Sequence, residues 1–310
     1  MARQKKSPIA YIIAIVIIVA LSLLSKGLDK LGVWDSSMEK VAGSPVGQAK
    51  VIPTQYEDSL VATFINVGQG DSSLFVSNGA SMLIDSGERE YSATVIKTIK
   101  DYNIDTLDYL VITHAHSDHM GGMTDILSSV TVSNVIISEP SDSSAETEQY
   151  AKLLESIDDS GANVIFSQPG YTFTLGSAEC EIIAPYFVSQ KEENDNSVVM
   201  RVDCFDSSFL LTGDSEEAVE KQMLQKDYEK LDVDILKVGH HGSRTSSSPE
   251  FIKAVSPEVS IIQLAKDNRY NHPHSETIEA LENAKSQILR TDEYGNITVV
   301  VNGDGYKLYY

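Results

Sequence analysis

The run Thr113-His114-Ala115-His116-Ser117-Asp118-His119-Met120-Gly121-Gly122 stands directly behind an apolar, β-branched stretch, Leu107–Thr113. That stretch reads as a buried strand. A fold that places three imidazoles and a carboxylate at one strand end must turn sharply there. It must also bring the next helix in close, and Gly121-Gly122 permits this because neither residue carries a Cβ. The other four histidines are His240-His241 and the pair His272 and His274, so all seven fall into three short clusters. A lone aspartate, Asp214, lies between the first and second clusters in Leu210-Leu211-Thr212-Gly213-Asp214. Imidazole and carboxylate are the ligands of zinc and similar divalent ions. Concentrated this way, they read as a dinuclear metallohydrolase. The spacing divides the work: His114 and His116 share one metal, and Asp118 and His119 serve a second. A chance histidine-rich loop is the competing reading, and the strand-to-helix position of the motif counts against it.

The flanking sequence sets the surroundings. Arg3, Lys5 and Lys6 precede an apolar run from Ile9 to Leu24 that only Ser22 interrupts. A membrane-spanning helix needs about 20 apolar residues, and Pro8 and Ser25 extend the run without charge. A cleaved signal peptide is the rival, but Leu23-Leu24-Ser25-Lys26 is a poor cleavage site and no cysteine follows the run. Residues 1–25 are therefore expected to form an uncleaved single-pass anchor in the cell membrane. The positive-inside rule places residues 1–7 in the cytoplasm and the rest of the chain outside. Residues 26–59, with Gly43-Ser44-Pro45, Gly47 and Pro53, read as a linker. Residues 60–310 read as the folded hydrolase domain. There 17 Lys and Arg face 40 Asp and Glu, within a chain of net charge −21. So acidic a surface reads as solubility and argues against avid, nonspecific binding of nucleic acid, which needs cations to neutralise phosphates.

Strands are expected at 61–67, 73–76, 81–85, 107–113, 135–137, 163–166, 171–175, 180–184, 197–205, 209–212, 233–238, 259–264, 288–290, 297–301 and 306–309. Helices are expected at 91–102, 145–157, 216–225 and 276–284, with one starting after Gly122. The Asn78-Gly79 pair signals a hairpin. Strand-rich stretches flanked by helices point to an α/β fold with two sheets and helices on the outer faces. Cys180 and Cys204 fall in strands placed to be neighbours. They form a disulfide in an extracellular domain, or they are two buried small hydrophobes.

Eight stretches, in order over residues 60–310, resemble the metallo-β-lactamase-fold hydrolases, and more narrowly the hydrolase domain of the ComEC competence protein family. They are Phe64-Ile-Asn-Val-Gly-Gln-Gly-Asp-Ser72, Leu83-Ile-Asp-Ser-Gly87, Thr113–Gly122, Asn194-Asp-Asn-Ser-Val198, Leu211-Thr-Gly-Asp214, Lys237-Val-Gly-His-His-Gly-Ser243, Asn268-Arg-Tyr-Asn-His-Pro-His274 and Arg290-Thr-Asp-Glu-Tyr-Gly295. The multi-helix channel of the full competence protein has no counterpart here. The resemblance implies an α/β/β/α metallo-β-lactamase-like sandwich after one N-terminal transmembrane helix, with two divalent ions, zinc or manganese. Asp214 would bridge the ions. His272 would be the last metal-binding histidine, with His274 as a substitute or a substrate contact. Asp85 would orient a ligand histidine through its second ring nitrogen, or form a turn before Gly87. Many superfamily members carry a histidine where this chain has Asn194-Asp195-Asn196-Ser197. The first metal would then rest on His114, His116 and Asp214, completed by water, Asp195, Asn196 or His240, a set poorer in imidazole that favours manganese.

Adjacent rings in His240-His241 point apart, so one faces the metals while the other packs or reaches substrate; His240 is taken as the inward one. Asp71 orders a ligand loop or caps a turn. Arg244 binds a phosphate oxygen or sits in a solvated loop. The expected chemistry is hydrolysis by a metal-activated hydroxide, oriented by Asp118 or a histidine. The bond is expected to be a phosphodiester, in nucleic acid or in a phosphate-containing envelope polymer. The alternatives are another ester or a lactam, or a non-catalytic metal-binding module accessory to a competence channel.

Overall fold

The computed structural model describes residues 58–310. The expected anchor, and all but the end of the expected linker, lie outside the described residues. No helix among the described residues is long and apolar enough to cross a membrane.

Period-two alternation builds the sheets. In β1 (Leu60–Phe64), Leu60, Ala62 and Phe64 enter one hydrophobic core while Val61 enters another on the opposite face. The first sheet adds β2 (Ser73–Ser77), β3 (Ala80–Ile84), β4 (Thr106–Ile112), β5 (Thr131–Ile137), β6 (Asn163–Phe166), β14 (Ile297–Asn302) and β15 (Gly305–Tyr309). Its order is β15-β14-β1-β2-β3-β4-β5-β6. The second sheet comprises β7 (Thr172–Leu175), β8 (Ala178–Ala184), β9 (Val199–Cys204), β10 (Ser207–Leu211), β11 (Ile235–Lys237), β12 (Val259–Ile262) and β13 (Gln287–Arg290), in the order β13-β12-β11-β10-β9-β8-β7.

Between the sheets, Phe64, Phe75 and Phe209 meet edge to face with ring centroids 6.1 and 5.5 Å apart. Burying each such side chain contributes roughly 1.5–3 kcal/mol. Helices Ser92–Asp101, Met123–Ser129 and Glu148–Ser160 cover the outer face of the first sheet. Helices Glu217–Lys226, Pro249–Val255 and Ser275–Asn283 cover that of the second. The expected α/β/β/α sandwich is what forms.

The two sheets share a plan that positions the site. Strands β3 to β6 run parallel, as do β10 to β13. Parallel neighbours need a crossover helix, and their carboxyl ends then collect at one edge. Asp85 follows β3, Thr113-His114 follow β4, Asp214 follows β10, His240-His241 follow β11, and Gln263 follows β12. Every cluster singled out in the sequence leaves a strand at this edge or just beyond it, where ligands bind in open α/β sheets.

Two local differences have clear causes. The helix expected at 145–157 is two helices, Asp142–Ala145 and Glu148–Ser160. Thr147 accepts a hydrogen bond from the Tyr150 amide at 3.2 Å as N-cap of the second, which ends on left-handed Gly161. Helix Pro249–Val255 is too short to show a period; its sequence signals are the cap Ser248 and Pro249 in the first turn. Cys180 and Cys204 are buried in the inter-sheet core and not bonded to each other. Their neighbouring strands pair Cys180 with Val202, which sets Cys204 two residues further along.

Candidate metal centre

Asp118, His119, Asp214 and His241 each present one donor atom, and the four atoms lie within 4.8 Å of one another. His119 Nε2 is 3.3 Å from Asp214 Oδ1, and His241 Nε2 is 3.4 Å from both Asp118 Oδ2 and Asp214 Oδ2. His119, Asp214 and His241 are buried, whereas Asp118 is partly open to solvent. Despite that burial, His119 Nε2, His241 Nε2 and Asp214 Oδ1 have no hydrogen-bond partner. A buried polar atom left unpaired costs about 1–3 kcal/mol. Three such atoms converging with a carboxylate are resolved by a divalent cation, and the donor set of two imidazoles and two carboxylates fits one.

The surrounding residues aim these donors. Asp85, itself left-handed at φ 56°, accepts from His119 Nδ1 at 2.8 Å, from Thr113 Oγ1 at 2.6 Å and from the Thr113 amide at 2.9 Å. A proton therefore stays on Nδ1, and Nε2 is the inward nitrogen that a metal would take by displacing its proton. His241 Nδ1 donates to the Gln263 carbonyl at 3.0 Å, and its neighbour Asp71 lies 3.3 Å away. Asp71 is held by buried Lys237 at 2.6 Å. Gln263 is fixed by donating to the carbonyls of Ile65 and Ser72. Glu193 accepts from the amides of Ala115 and Ser141, both at 2.7 Å, which clamps the turn carrying the first histidine cluster.

The second turn is strained. His240, His241 and Gly242 follow one another at φ 48°, 52° and 83°. Left-handed backbone costs a non-glycine residue roughly 1–2 kcal/mol, and such strain persists only where the surroundings over-determine it. A Cβ at Gly242 would collide with Pro273, and one at Gly70 would collide with the Asp118 carbonyl.

Electrostatics follow from this packing. Burial pushes the His119 imidazole down, but Asp214 and Asp85 outweigh it and hold the net value well above the ordinary one. His241 behaves alike, through Asp214 and Asp71. Asp118 is lowered despite its burial, chiefly by His241 and His119. His114 is pushed well below its ordinary value, first by burial and then by His119.

The remaining predicted residues take varied places. His114 Nε2 and His116 Nδ1 lie 3.1 Å apart, with His114 Nδ1 facing the hydroxyls of Thr113 at 3.2 Å and Ser197 at 3.3 Å. His241 joins the four-donor group where His240 was expected to face inward. The left-handed backbone sends the two rings apart, with centroids 6.1 Å from each other. His240 instead sets Nδ1 3.1 Å from Glu216 and Nε2 3.7 Å from Asp214.

His272, expected among the ligands, stands outside the group. Its ring is 6.4 Å from that of His241, its Nδ1 is buried without a partner, and burial together with His240 and His241 pushes it down to about 4. His274 Nδ1 accepts from the Arg244 amide at 3.0 Å, while the exposed Arg244 guanidinium lies 3.5 Å from Glu276. Asn196 is committed to the Ser189 backbone, accepting at 2.6 Å and donating at 2.9 Å. Glu193, Glu216, Lys237 and Gln263 were not foreseen. Only Lys237 left a signal, as a charge ending an apolar strand.

Donors on turns at the gathered carboxyl ends of two facing sheets are not peculiar to this chain. The profile of the metallo-beta-lactamase superfamily matches residues 65–266, and the chain belongs to that superfamily. Among curated proteins it is similar to ComE operon protein 3 of Bacillus subtilis, 29% identical over 257 residues, covering 75% of this chain and 32% of that protein. It is also similar to Competence protein ComA of Neisseria gonorrhoeae, 26% identical over 302 residues, covering 97% of this chain and 40% of that protein. The competence-family resemblance read from the motifs is thus borne out, and the chain spans about a third of the length of the curated relatives it matches. Among solved structures, CmlA, a diiron beta-hydroxylase from Streptomyces venezuelae, superposes with a TM-score of 0.54 at 15% identity, over 78% of this chain and 54% of that one. That likeness is one of fold.

Proposed function

We propose that this chain is a metal-dependent phosphodiesterase, held at the membrane by residues 1–25 and working outside it. Its substrate would be a nucleic acid or a phosphate-containing envelope polymer. The observation that carries the reading is the convergence of His119 Nε2, His241 Nε2 and Asp214 Oδ1, buried and without hydrogen-bond partners, beside Asp118. These four residues would hold one ion, zinc or manganese. His114 and His116, with Asp214 shared, would hold a second. When bound, such ions supply Lewis acidity and a nucleophile at neutral pH.

The chain's own residues do the positioning. Asp85 and the Gln263 carbonyl fix the tautomers of His119 and His241, so both rings present Nε2. Glu193 keeps the first histidine turn in register. Asp118, the most open of the four, would orient an attacking water by accepting its hydrogen bond. His240, partly exposed between Glu216 and Asp214, would supply the proton that a leaving oxygen needs.

The test is elemental analysis of the purified full chain, with turnover of bis(p-nitrophenyl) phosphate, single-stranded DNA, RNA, teichoic-acid-like diesters and lactams. Bound metal with diester cleavage supports the reading. Bound metal with no diester cleavage overturns it in favour of a binding module, and lactam cleavage alone overturns the choice of bond. Protease treatment of intact cells tests location: the domain should be digested and the N-terminus spared.

A further inference from the structure

The loop after β12 is built around one side chain. Asn268 donates to the carbonyls of Ala265 at 3.0 Å and His272 at 2.7 Å, and it accepts from the amides of Tyr270 at 3.2 Å and His272 at 2.9 Å. This latch presents Tyr270 to solvent, 44% exposed. The Tyr270 ring lies nearly parallel to that of His272, at 5.5 Å and 26°. His272 in turn lies nearly parallel to His241, at 6.4 Å and 27°. A column of flat rings therefore steps from solvent to a candidate ligand. The Arg269 guanidinium stands at its outer end, 4.8 Å from the Tyr270 centroid and donating to the Tyr270 hydroxyl at 2.5 Å. Neither Arg269 nor Lys266 forms an ion pair with a carboxylate among the described residues. Beside the column opens a polar cleft of about 710 Å³ in which Lys266 and Arg290 stand among the carboxylates Asp267, Asp292 and Glu293, with Arg290 paired to Asp292 and Glu293.

A domain in which 40 acidic residues face 17 basic ones has no need of two unpaired cations on one short loop for solubility. An exposed aromatic held rigid under a guanidinium is the surface that takes a flat ring beside an anion: bases stack on aromatic faces and on guanidinium planes.

We propose that Tyr270 and Arg269 form a substrate-selecting plate, which takes a nucleobase of a single-stranded nucleic acid and sets the adjoining phosphodiester at the four-donor group. This deepens the phosphodiesterase reading and rests on it. The acidic surface elsewhere, the carboxylate-lined cleft included, keeps long duplexes away, so recognition is local: one stacked base and one neutralised phosphate. Polyol-phosphate polymers have no flat ring to stack and gain nothing from the plate.

The experiment uses the full chain loaded with manganese or zinc. Its probes are an eight-residue oligothymidylate, an abasic phosphodiester of the same length, and a polyglycerol phosphate. Wild type should show a lower KM for oligothymidylate than for the abasic chain. Tyr270→Ala should raise the oligothymidylate KM about tenfold, with kcat little changed and the abasic KM unmoved. Tyr270→Phe keeps the ring but frees Arg269 from the hydroxyl it donates to, so it should keep the preference for oligothymidylate over the abasic chain, with a small rise in both KM values. Arg269→Gln should weaken both nucleic-acid backbones, with a shallower salt dependence.

Equal KM values for the two chains, or no effect of Tyr270→Ala, would overturn the plate and leave the phosphodiesterase standing. Cleavage of polyglycerol phosphate alone would do the same. Tyr270-dependent binding without cleavage would overturn the phosphodiesterase and keep the plate. Neither binding nor cleavage overturns both.

Discussion

The two halves of the candidate centre are built to different standards. On one side, Asp118, His119, Asp214 and His241 converge within 4.8 Å. Each of the two imidazoles is backed: His119 by the Asp85 carboxylate, and His241 by the Gln263 carbonyl with Asp71 behind it. On the other side, His114 and His116 face each other at 3.1 Å with only hydroxyl oxygens of Thr113 and Ser197 behind His114. Where a third imidazole would stand, the chain runs Asn194-Asp195-Asn196, and Asn196 is spent on Ser189. The lesson is that ligand count is only part of a site. Anions behind a ligand raise its basicity and fix its ring, and this chain invests them on one side. The backed half should therefore fill first and hold its ion more tightly.

The largest way to break that comparison is Asp214→Asn, which keeps the shape and removes the charge proposed to be shared by both halves. The variant should fold, lose most bound metal and lose diester hydrolysis by several orders of magnitude. Elemental analysis beside turnover checks it; two retained ions with near-normal rates would refute the shared carboxylate.

A pH series sharpens the contrast next. In the metal-free protein, His119 and His241 sit well above their ordinary value because of the carboxylates around them. A histidine raised in the folded state contributes stability in full below its unfolded value, about 6.5, and loses it as pH climbs through the folded value. Metal-free protein should thus melt at falling temperature as pH rises above about 6.5. Loading the backed half must displace those protons, so its metal affinity rises over the same window, by up to about a hundredfold per pH unit when two protons leave. His114, already pushed low by burial, brings no such dependence. Calorimetry in two buffers of different ionisation enthalpy reads the released protons directly, and no release on filling the backed half would sink the argument.

A smaller effect isolates the backing itself. Asp85→Asn retains a partner for Thr113 while weakening the anchor of His119 Nδ1. Outer partners of this kind are worth about 10- to 100-fold in metal affinity. The loss should appear mainly in the first ion to bind, measured by competition with a chelator, with a smaller change in the His114 and His116 half, which Asp85 reaches only through the Thr113 hydroxyl. Equal loss in both halves would erase the distinction.

Much of this was legible in the sequence, and the parts that were not share a cause. Alternation and β-branching exposed the fifteen strands of the described residues, because a buried sheet writes a period of two into its own residues. The clusters at strand ends were legible because imidazoles are scarce and were spent in only three places. What stayed hidden was anything set by long-range approach. Glu193 reaches back to Ala115 and Ser141, and Gln263 reaches Ile65 and Ser72, across separations no local pattern encodes. The choice between His240 and His241 turned on three successive left-handed residues, of which only the glycine is predictable. His272 was assigned by its order in the chain, which does not report that its loop is latched by Asn268 and faces the cleft.

His272 gives the smallest expected effect and the finest test of the comparison. Its ring stacks between Tyr270 and His241 and lies outside the four-donor group. His272→Ala should therefore change the affinity of the first ion by less than the tenfold or so that an outer partner is worth. It should raise the KM for a stacked substrate instead, because the plate loses the ring beneath Tyr270. His241→Ala, which removes a donor from the backed half, should do the reverse, with metal lost first and KM moving only as a consequence. Chelator competition and diester kinetics on the two variants side by side separate these behaviours. If His272→Ala sheds metal as readily as His241→Ala, then His272 is a ligand of the backed half, and the half built from four donors must be redrawn with five.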